Sequence, residues 1–269
     1  MSIQTRETRD GAQVVHRIFG LLKEISASQG KGARLGALAE AAGLPNSTTH
    51  RLLNALSEEG VVERDQITKG FRLGPLLYEF GLAAAPRVNI RTFCSAALDR
   101  IAEASGHTAY LNCRSGLDAL CLDKREGWNP IQSRSHAVGN RRPLGVGAAA
   151  IAVLSSMPAN EVDEVLKANE IRYRRYGLSV ERVRSSVEAT KARGFSVTCG
   201  RFVARHHGVG LAIPNGVGGV PVALSLIAVE DRLDPRTVEQ AVTILRKEEQ
   251  ALRALLNANP PPSRRGDTL

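Results

Sequence analysis

The stretch LGALAEAAGLPNSTTHRLLNAL, Leu35 to Leu56, decides how the chain is read. Leu35, Leu38, Ala39 and Ala42 recur at the i, i+3, i+4, i+7 spacing of one apolar helical stripe. Gly43 stands where helices end in a left-handed residue, and Pro45 biases Leu44 away from helical geometry. Asn46 or Ser47 can cap a second helix, whose buried face is Thr49, Leu52, Leu53 and Leu56. Ser47, Arg51 and Asn54 point the other way, with Thr48 and His50 on the flanks. Two short helices around a Gly-containing turn, the second polar outward, make the helix-turn-helix pattern. An ordinary αα-hairpin uses the same turn chemistry, so a purely structural role stays open at this level.

Working outward, Val61 to Arg64 and Gly70 to Leu73 read as two short strands around Asp65 to Lys69. A hairpin directly after the second helix is a wing, whose tip, with Lys69, can lie along a phosphate backbone. Upstream, Val14, Ile18, Leu21, Leu22 and Ile25 space out a first helix. Gly20 interrupts it at a cost of about 1 kcal/mol relative to Ala, and Ser26 to Lys31 is a turn-rich break. Downstream, Gly74-Pro75 opens a helix carrying Leu76, Leu77, Phe80 and Leu82, which reads as a connection between domains.

GLPNSTTHRLLNALSEEGVVERD followed by KGFRLGPLLYEFG resembles the winged helix-turn-helix of the IclR family of transcriptional regulators. The match is unbroken from Gly43 through the start of the connecting helix. Two departures are visible: Gly36 stands where the family has a Ser or Thr N-cap, and Thr49 replaces Val. A hydroxyl at position 49 needs a partner such as a carbonyl one turn back.

The second half begins with an amphipathic helix, Ile90 to Ser105, ended by Gly106. Thr108 to Arg114 and Asp118 to Glu126 read as strands of a hairpin, and Ile131 to Val138 as a third strand. Gly139 to Gly147 reads as a loop, Ala148 to Ser155 as a helix, and Pro158 to about Ala168 as another, with Arg172 to Tyr176 irregular. Ser179 caps the next helix. Phe195 to Thr198, Gly208 to Pro214 and Val220 to Val229 are strand-like, the last two separated by a turn at Gly216, Gly218 and Gly219. Asp234-Pro235 opens a final helix, and the tail NPPPSRRGDTL is Pro-rich and polar. The expected fold is α+β: a winged helix-turn-helix (residues 11–73), a linker helix (74–88), an effector domain (89–258) and a disordered tail (259–269). The effector domain is of GAF-like size, with a mainly antiparallel sheet.

This half also resembles the IclR effector domain. Gly139-Asn-Arg-Arg-Pro-Leu144 with its small-residue helix, Ala192-Arg-Gly-Phe195, Leu211-Ala-Ile-Pro214 and Val222-Ala-Leu-Ser225 carry the likeness. Departures gather at the ligand loop: Gly145 for His, Ala149-Ala150-Ile151 for Gly-Lys-Ala, and no acid near Thr198 to Gly200. The resemblance implies a dimer or tetramer on a near-palindromic operator, with a small-molecule effector. A helix N-terminus and accessible glycine backbone in a basic domain point to a carboxylate held around Gly145, Val146, Gly147, Gly210 and Ser225.

Composition sets the bounds. The 269 residues are 43% hydrophobic and 23% charged, as in a globular protein, and net charge is +9. Residues 1–90 carry 11 Lys/Arg against 9 Asp/Glu, so the basic excess lies in the second half, in pairs such as Arg141-Arg142. No signal-peptide core or membrane span is legible, and Cys94, Cys113, Cys121 and Cys199 share no metal or redox spacing. Reduced thiols in a cytoplasm are expected. Gly145 to Ala150 fits G-x-G-x-x-A, but no strand precedes it and no acid ends a following strand, so no cofactor is expected. His206-His207 would point to opposite faces of a strand, which disfavours joint metal ligation. No nucleophile sits in an elbow motif, and no catalytic residue is assigned. The rival reading is an enzyme or ligand-binding protein whose N-terminal hairpin is only structural.

Overall fold

The computed structural model describes residues 4–28, 32–84, 89–132, 136–200, 206–217, 219–229 and 234–258. The chain divides into two compact units, Met1–Arg87 and Val88–Leu269.

In the first unit, α1 (Gln4–Ala27), α2 (Leu35–Ala42) and α3 (Asn46–Glu58) precede a two-stranded sheet of β1 (Val62–Arg64) and β2 (Phe71–Leu73). One core joins all five: Leu21 and Ile25, Leu38, Leu53 and Leu56, Val62, and Phe71. The strands pair antiparallel, Val62 opposite Leu73 and Arg64 opposite Phe71. Ala33 adds a bridge, exchanging two 2.9 Å backbone hydrogen bonds with Phe71. Gly43 ends α2 at φ +62°, and the Leu44 N–H returns to the Ala39 carbonyl. α1 continues through Gly20 and Ser26, with Leu21 and Ile25 between them anchored in the core. Gly36 is the second residue of α2, whose N-cap is Arg34, so position 36 is not the cap that the sequence suggests. α4 (Pro75–Ala84) follows, with Tyr78, Phe80 and Leu82 exposed.

The second unit is a six-stranded antiparallel sheet in the order β5-β4-β3-β8-β7-β6. Its strands are β3 (Thr108–Ser115), β4 (Asp118–Arg125), β5 (Arg141–Pro143), β6 (Ser196–Cys199), β7 (His206–Val217) and β8 (Val220–Val229). α5 (Ile90–Ser105) and α9 (Pro235–Ala258) pack on one face with Leu111, Val209, Leu224 and Leu226. On the other face α6 (Ala148–Ser155), α7 (Ala159–Arg174) and α8 (Val180–Arg193) pack with Ala119 and Ala223. The alternation of Leu224 and Leu226 against Ala223 and Ser225 along β8 is the period-two pattern of a sheet covered on both sides. The α+β expectation holds, with an antiparallel sheet and mixed helix content.

Three local expectations do not. Ile131 to Val138 contributes no strand among its described residues. Gln132 instead donates through Nε2 to the Gly106, Gly127 and Asn129 carbonyls, tying this segment into a loop, and Arg141–Pro143 pairs with β4. α7 runs on to Arg174, so Arg172 to Arg174 are helical rather than irregular. Tertiary anchors hold that last turn: the buried Tyr173 hydroxyl donates to the Leu144 carbonyl at 2.6 Å, and Arg172 pairs with Asp118. β7 is longer than Gly208 to Pro214, with an irregularity between Ile213 and Val217 that absorbs Asn215 and Gly216 in left-handed geometry. Ser179 and Asp234 cap their helices, accepting from the Arg182 and Thr237 N–H groups. Gly218 and the tail 259–269 lie outside the described residues. Among those described, no helix is long and apolar enough to cross a membrane. Cys94, Cys113 and Cys121 are buried and Cys199 is exposed.

Asp123, 2% exposed, joins α5 to the sheet through Arg91 (3.0 Å) and Arg125 (2.8 Å). Burial pushes its carboxyl up, but hydrogen bonds from both guanidinium groups outweigh that and hold it below the usual range. A lowered folded pKa stabilises above the unfolded value, and that stabilisation is lost as pH falls through the folded one. Asp123→Asn is therefore expected to lower the urea midpoint at pH 7 and to narrow its gap from the parent as pH drops below about 4. Urea unfolding at a series of pH values checks both.

Candidate nucleic-acid interface and ligand cleft

The direction of α3 is set at its first residues. Pro45 holds an extended ψ of 145° and has no side-chain acceptor, so the helix starts at Asn46 without a side-chain cap. Neither Asn46 nor Ser47 is the cap, because both already lie inside the helix. The Thr49 hydroxyl donates to the Pro45 carbonyl at 3.1 Å, one turn back, which satisfies a hydroxyl that is wholly buried. Thr49, Leu53 and Leu56 face the core. Ser47, Arg51 and Asn54 are exposed, and Thr48 and His50 are half-buried on the flanks. His50 Nδ1 lies 3.4 Å from Asn54 Nδ2, one turn apart. Arg51 makes no hydrogen bond or ion pair among the described residues.

Asp65 organises the wing. Its Oδ1 accepts the N–H groups of Ile67 (3.0 Å) and Thr68 (2.7 Å), and its Oδ2 pairs with Arg72 at 2.9 Å. Bonds from the Thr68 backbone and hydroxyl lead in holding this carboxyl below its ordinary range. Lys69 stands at φ +56°, its N–H on the Asp65 carbonyl, its side chain exposed. The six residues proposed from sequence thus lie on one helix and the hairpin that follows it. They include every exposed side chain of α3 from Ser47 to Asn54.

In the second unit a small cleft lies between α6 and the sheet, with about 30 Å³ of free interior space. Val146, Gly147 and Ser225 line it, together with Asn112 of β3, His136, Arg142 of β5 and the first turn of α6. Gly145 and Gly210 do not. Gly145 sits at φ +96°, and a Cβ there would meet Val183 Cγ1 at 2.4 Å, so this position serves helix packing. At Gly210 a Cβ would meet the Ala148 backbone at 2.7 Å, so its bareness lets α6 lie on the sheet. Sequence reasoning missed Asn112 and His136, which carry no local signal. Arg142 was legible as part of a basic pair in the GNRRPL segment.

The chemistry of the cleft is unusual for an interior. Asn112 (4% exposed), His136 (7%) and Ser225 (1%) are all buried; the Ser225 hydroxyl has no hydrogen-bond partner among the described residues, and the His136 ring lies 6.3 Å from that of Tyr110. Burial, with the Arg142 charge second, depresses His136 to about 3, so its imidazole is neutral. Burial also lowers the Arg142 guanidinium from its ordinary value. α6 begins at Gly147 with no side-chain cap, leaving its first N–H groups beside the same space.

Comparison with known proteins places these two units. Residues 14–66 match the IclR helix-turn-helix domain model and residues 82–254 the C-terminal domain of bacterial IclR transcriptional regulators. The chain is 26% identical to the HTH-type transcriptional regulator KipR of Bacillus subtilis over 200 residues, 74% of this chain and 79% of that protein. Against the repressor AllR of Klebsiella pneumoniae it is 23% identical over 259 residues, covering 96% and 94% of the two chains. Among solved structures, the IclR transcriptional regulator of Alicyclobacillus acidocaldarius superposes with a TM-score of 0.70 at 22% identity, covering 90% of this chain and 97% of that one. An IclR homologue from Microbacterium hydrocarbonoxydans complexed with 4-hydroxybenzoate superposes at 0.69 and 22% identity, covering 91% and 99%. Matched through both of its domains, the chain belongs to the IclR family of transcriptional regulators, with a helix-turn-helix DNA-binding domain ahead of an IclR C-terminal domain.

Proposed function

We propose that this regulator reads a duplex operator with α3 in the major groove and responds to a small carboxylate held in the cleft beside α6. The observation that carries the DNA reading is the outward face of α3, polar and with Arg51 itself unpaired among the described residues, opposite a face committed to the core. Arg51 and Asn54 have the fork geometries that recognise guanine and adenine edges. The uncapped start of the helix offers backbone N–H groups to a phosphate, with Ser47, Thr48, His50 and Lys69 around it. One such reader makes few contacts, so a homodimer on a near-palindromic site follows, or a tetramer built from it. Exposed apolar side chains on α1 (Phe19) and α4 (Tyr78, Phe80) supply surface for that assembly. The cytoplasm, where an operator is met, is the working compartment.

For the effector, three buried polar side chains, the unpaired Ser225 hydroxyl among them, surround a space beside a guanidinium and a helix N-terminus. An unpaired buried polar group costs about 1–3 kcal/mol, so a ligand that pairs it gains affinity. A carboxylate suits Arg142 and the α6 amides. The 4-hydroxybenzoate bound by the Microbacterium homologue has this chemistry. α4, between the two matched domains, is the element through which occupancy would alter the spacing of two readers.

Arg51→Ala is expected to weaken operator binding by about 1–3 kcal/mol in a gel-shift titration at fixed salt. Unchanged binding would remove Arg51 from the interface. Ser225→Ala is expected to leave the empty protein as stable as its parent, since an unpaired buried hydroxyl is removed. The same change should reduce the rise in melting temperature produced by 4-hydroxybenzoate or by short carboxylates. A thermal-shift panel in which no carboxylate stabilises the parent overturns the effector reading and leaves the DNA reading intact.

A further inference from the structure

Trp128, the single tryptophan of the chain, is 73% exposed and yet closely placed. Its indole N–H donates to the Glu103 carbonyl at 3.0 Å, near the end of α5. Two glycines make room for it. A Cβ on Gly106 would come within 2.7 Å of the indole ring, and a Cβ on Gly127 within 2.3 Å of the Gly106 backbone. Gln132 fastens the same loop through the Gly106, Gly127 and Asn129 carbonyls, and the Asn129 N–H donates to the Gly106 carbonyl at 3.0 Å. A tryptophan that only anchors a turn gains by burying its ring. This one is fixed in position with most of the ring left in solvent.

The indole borders a cavity of about 290 Å³ between the end of α5, the start of α9 and β8. Leu226 of β8, with Ala241 and Ile244 of α9, gives it an apolar floor. Its polar lining includes the carboxamides of Asn129 and Gln240, and the exposed Gln240 makes no hydrogen bond among the described residues. No Asp, Glu, Lys or Arg is among the described residues that line it. An aromatic wall, an apolar floor and a few polar groups around a space of this size are the composition of a small-molecule site. A charged ligand would leave water there without a counter-charge, which favours a neutral one. An indole face receives a flat ring by offset stacking. A carboxamide pairs with an edge that carries a donor next to an acceptor. We infer that this cavity is a second small-molecule site, taking a neutral planar ring with an amide-like edge, as in nicotinamide or an oxopurine. Leu226 faces α5 and α9 while Ser225, its neighbour, lines the cleft beside α6, so the two sites lie on opposite faces of the sheet. The second site stands independently of the operator and carboxylate readings.

The test uses the full chain and its own fluorescence, because Trp128 is the only indole and its emission reports on this cavity directly. Titration with nicotinamide or hypoxanthine, corrected for absorbance, is expected to quench that emission along a saturable curve. Free N-acetyltryptophanamide, by contrast, is quenched without saturation. Nicotinate, the same ring carrying a charge, and cyclohexanecarboxamide, the same edge without a flat ring, should bind at least about tenfold more weakly. Gln240→Ala should weaken nicotinamide binding about threefold to tenfold. Ala104→Lys, at an exposed helical position lining the cavity, should abolish saturation, and Ser225→Ala should leave it unchanged. Thermal melts matching the parent show that the variants are folded. Quenching that follows the free fluorophore, nicotinate binding as tight as that of nicotinamide, or parent-like binding by both Gln240→Ala and Ala104→Lys overturns the site.

Discussion

The packing of Leu53 and Leu56 against Leu21, Ile25 and Phe71 is the constraint on which the first unit depends. Burying those two leucines fixes the rotation of α3 about its axis. Every side chain about half a turn away, Ser47, Arg51 and Asn54, is then directed outward. The Thr49 hydroxyl, returned to the Pro45 carbonyl, lets a polar side chain share the buried face without leaving an open hydrogen bond. The same core reaches Val62 and Phe71, so the wing is held to the helix by hydrophobic contact and by the Ala33 bridge. Helix face and wing tip are thus presented by one rigid body, which a binding surface made of two separate elements requires.

The second unit is organised around a different economy. Its two apolar cores, on the α5–α9 and α6–α8 faces of one sheet, satisfy hydrophobic burial thoroughly. Against that background the Ser225 hydroxyl is conspicuous as a buried polar group without a partner, beside the buried Asn112 and His136. Several other buried polar side chains of this unit are paired: Asp123 with Arg91 and Arg125, Glu248 with Arg100, Asn169 with the Leu117 carbonyl. The contrast separates polar groups that build the domain from a hydroxyl that leaves a cleft chemically unsatisfied. Unsatisfied groups are a cost in the empty protein and a source of selectivity toward whatever pairs them.

Much of the fold was legible from short-range rules. Gly43, Pro45, Gly106, Ser179 and Asp234 each act on the backbone within a few residues, and each marks the helix boundary that its chemistry implies. The period-two and period-3.6 patterns located α2, α3, α5, α8 and the strands of the two hairpins. The errors have two causes. The strand expected at Ile131 to Val138, the early end of α7 and the cap at Asn46 or Ser47 all depend on contacts made by residues distant in the chain or on the conformation of Pro45. Gln132 finds Gly106, and Tyr173 finds Leu144, only when the domain is folded.

The sites divide the same way. The outward residues of α3 could be named from spacing alone, because a helix with one apolar stripe leaves its opposite face determined by geometry. The cleft could not. Gly145 and Gly210 looked like ligand contacts, and the fold uses both for close packing. Asn112, His136 and Arg142 come from three separate segments, and only the sheet and the loop beside it bring them together. Local periodicity was enough for elements, their order and the exposed face of a helix, since those depend on neighbours along the chain. Which side chains share a cavity, and which stay unpaired there, was decided by tertiary structure, because burial and hydrogen-bond competition are properties of the packed whole.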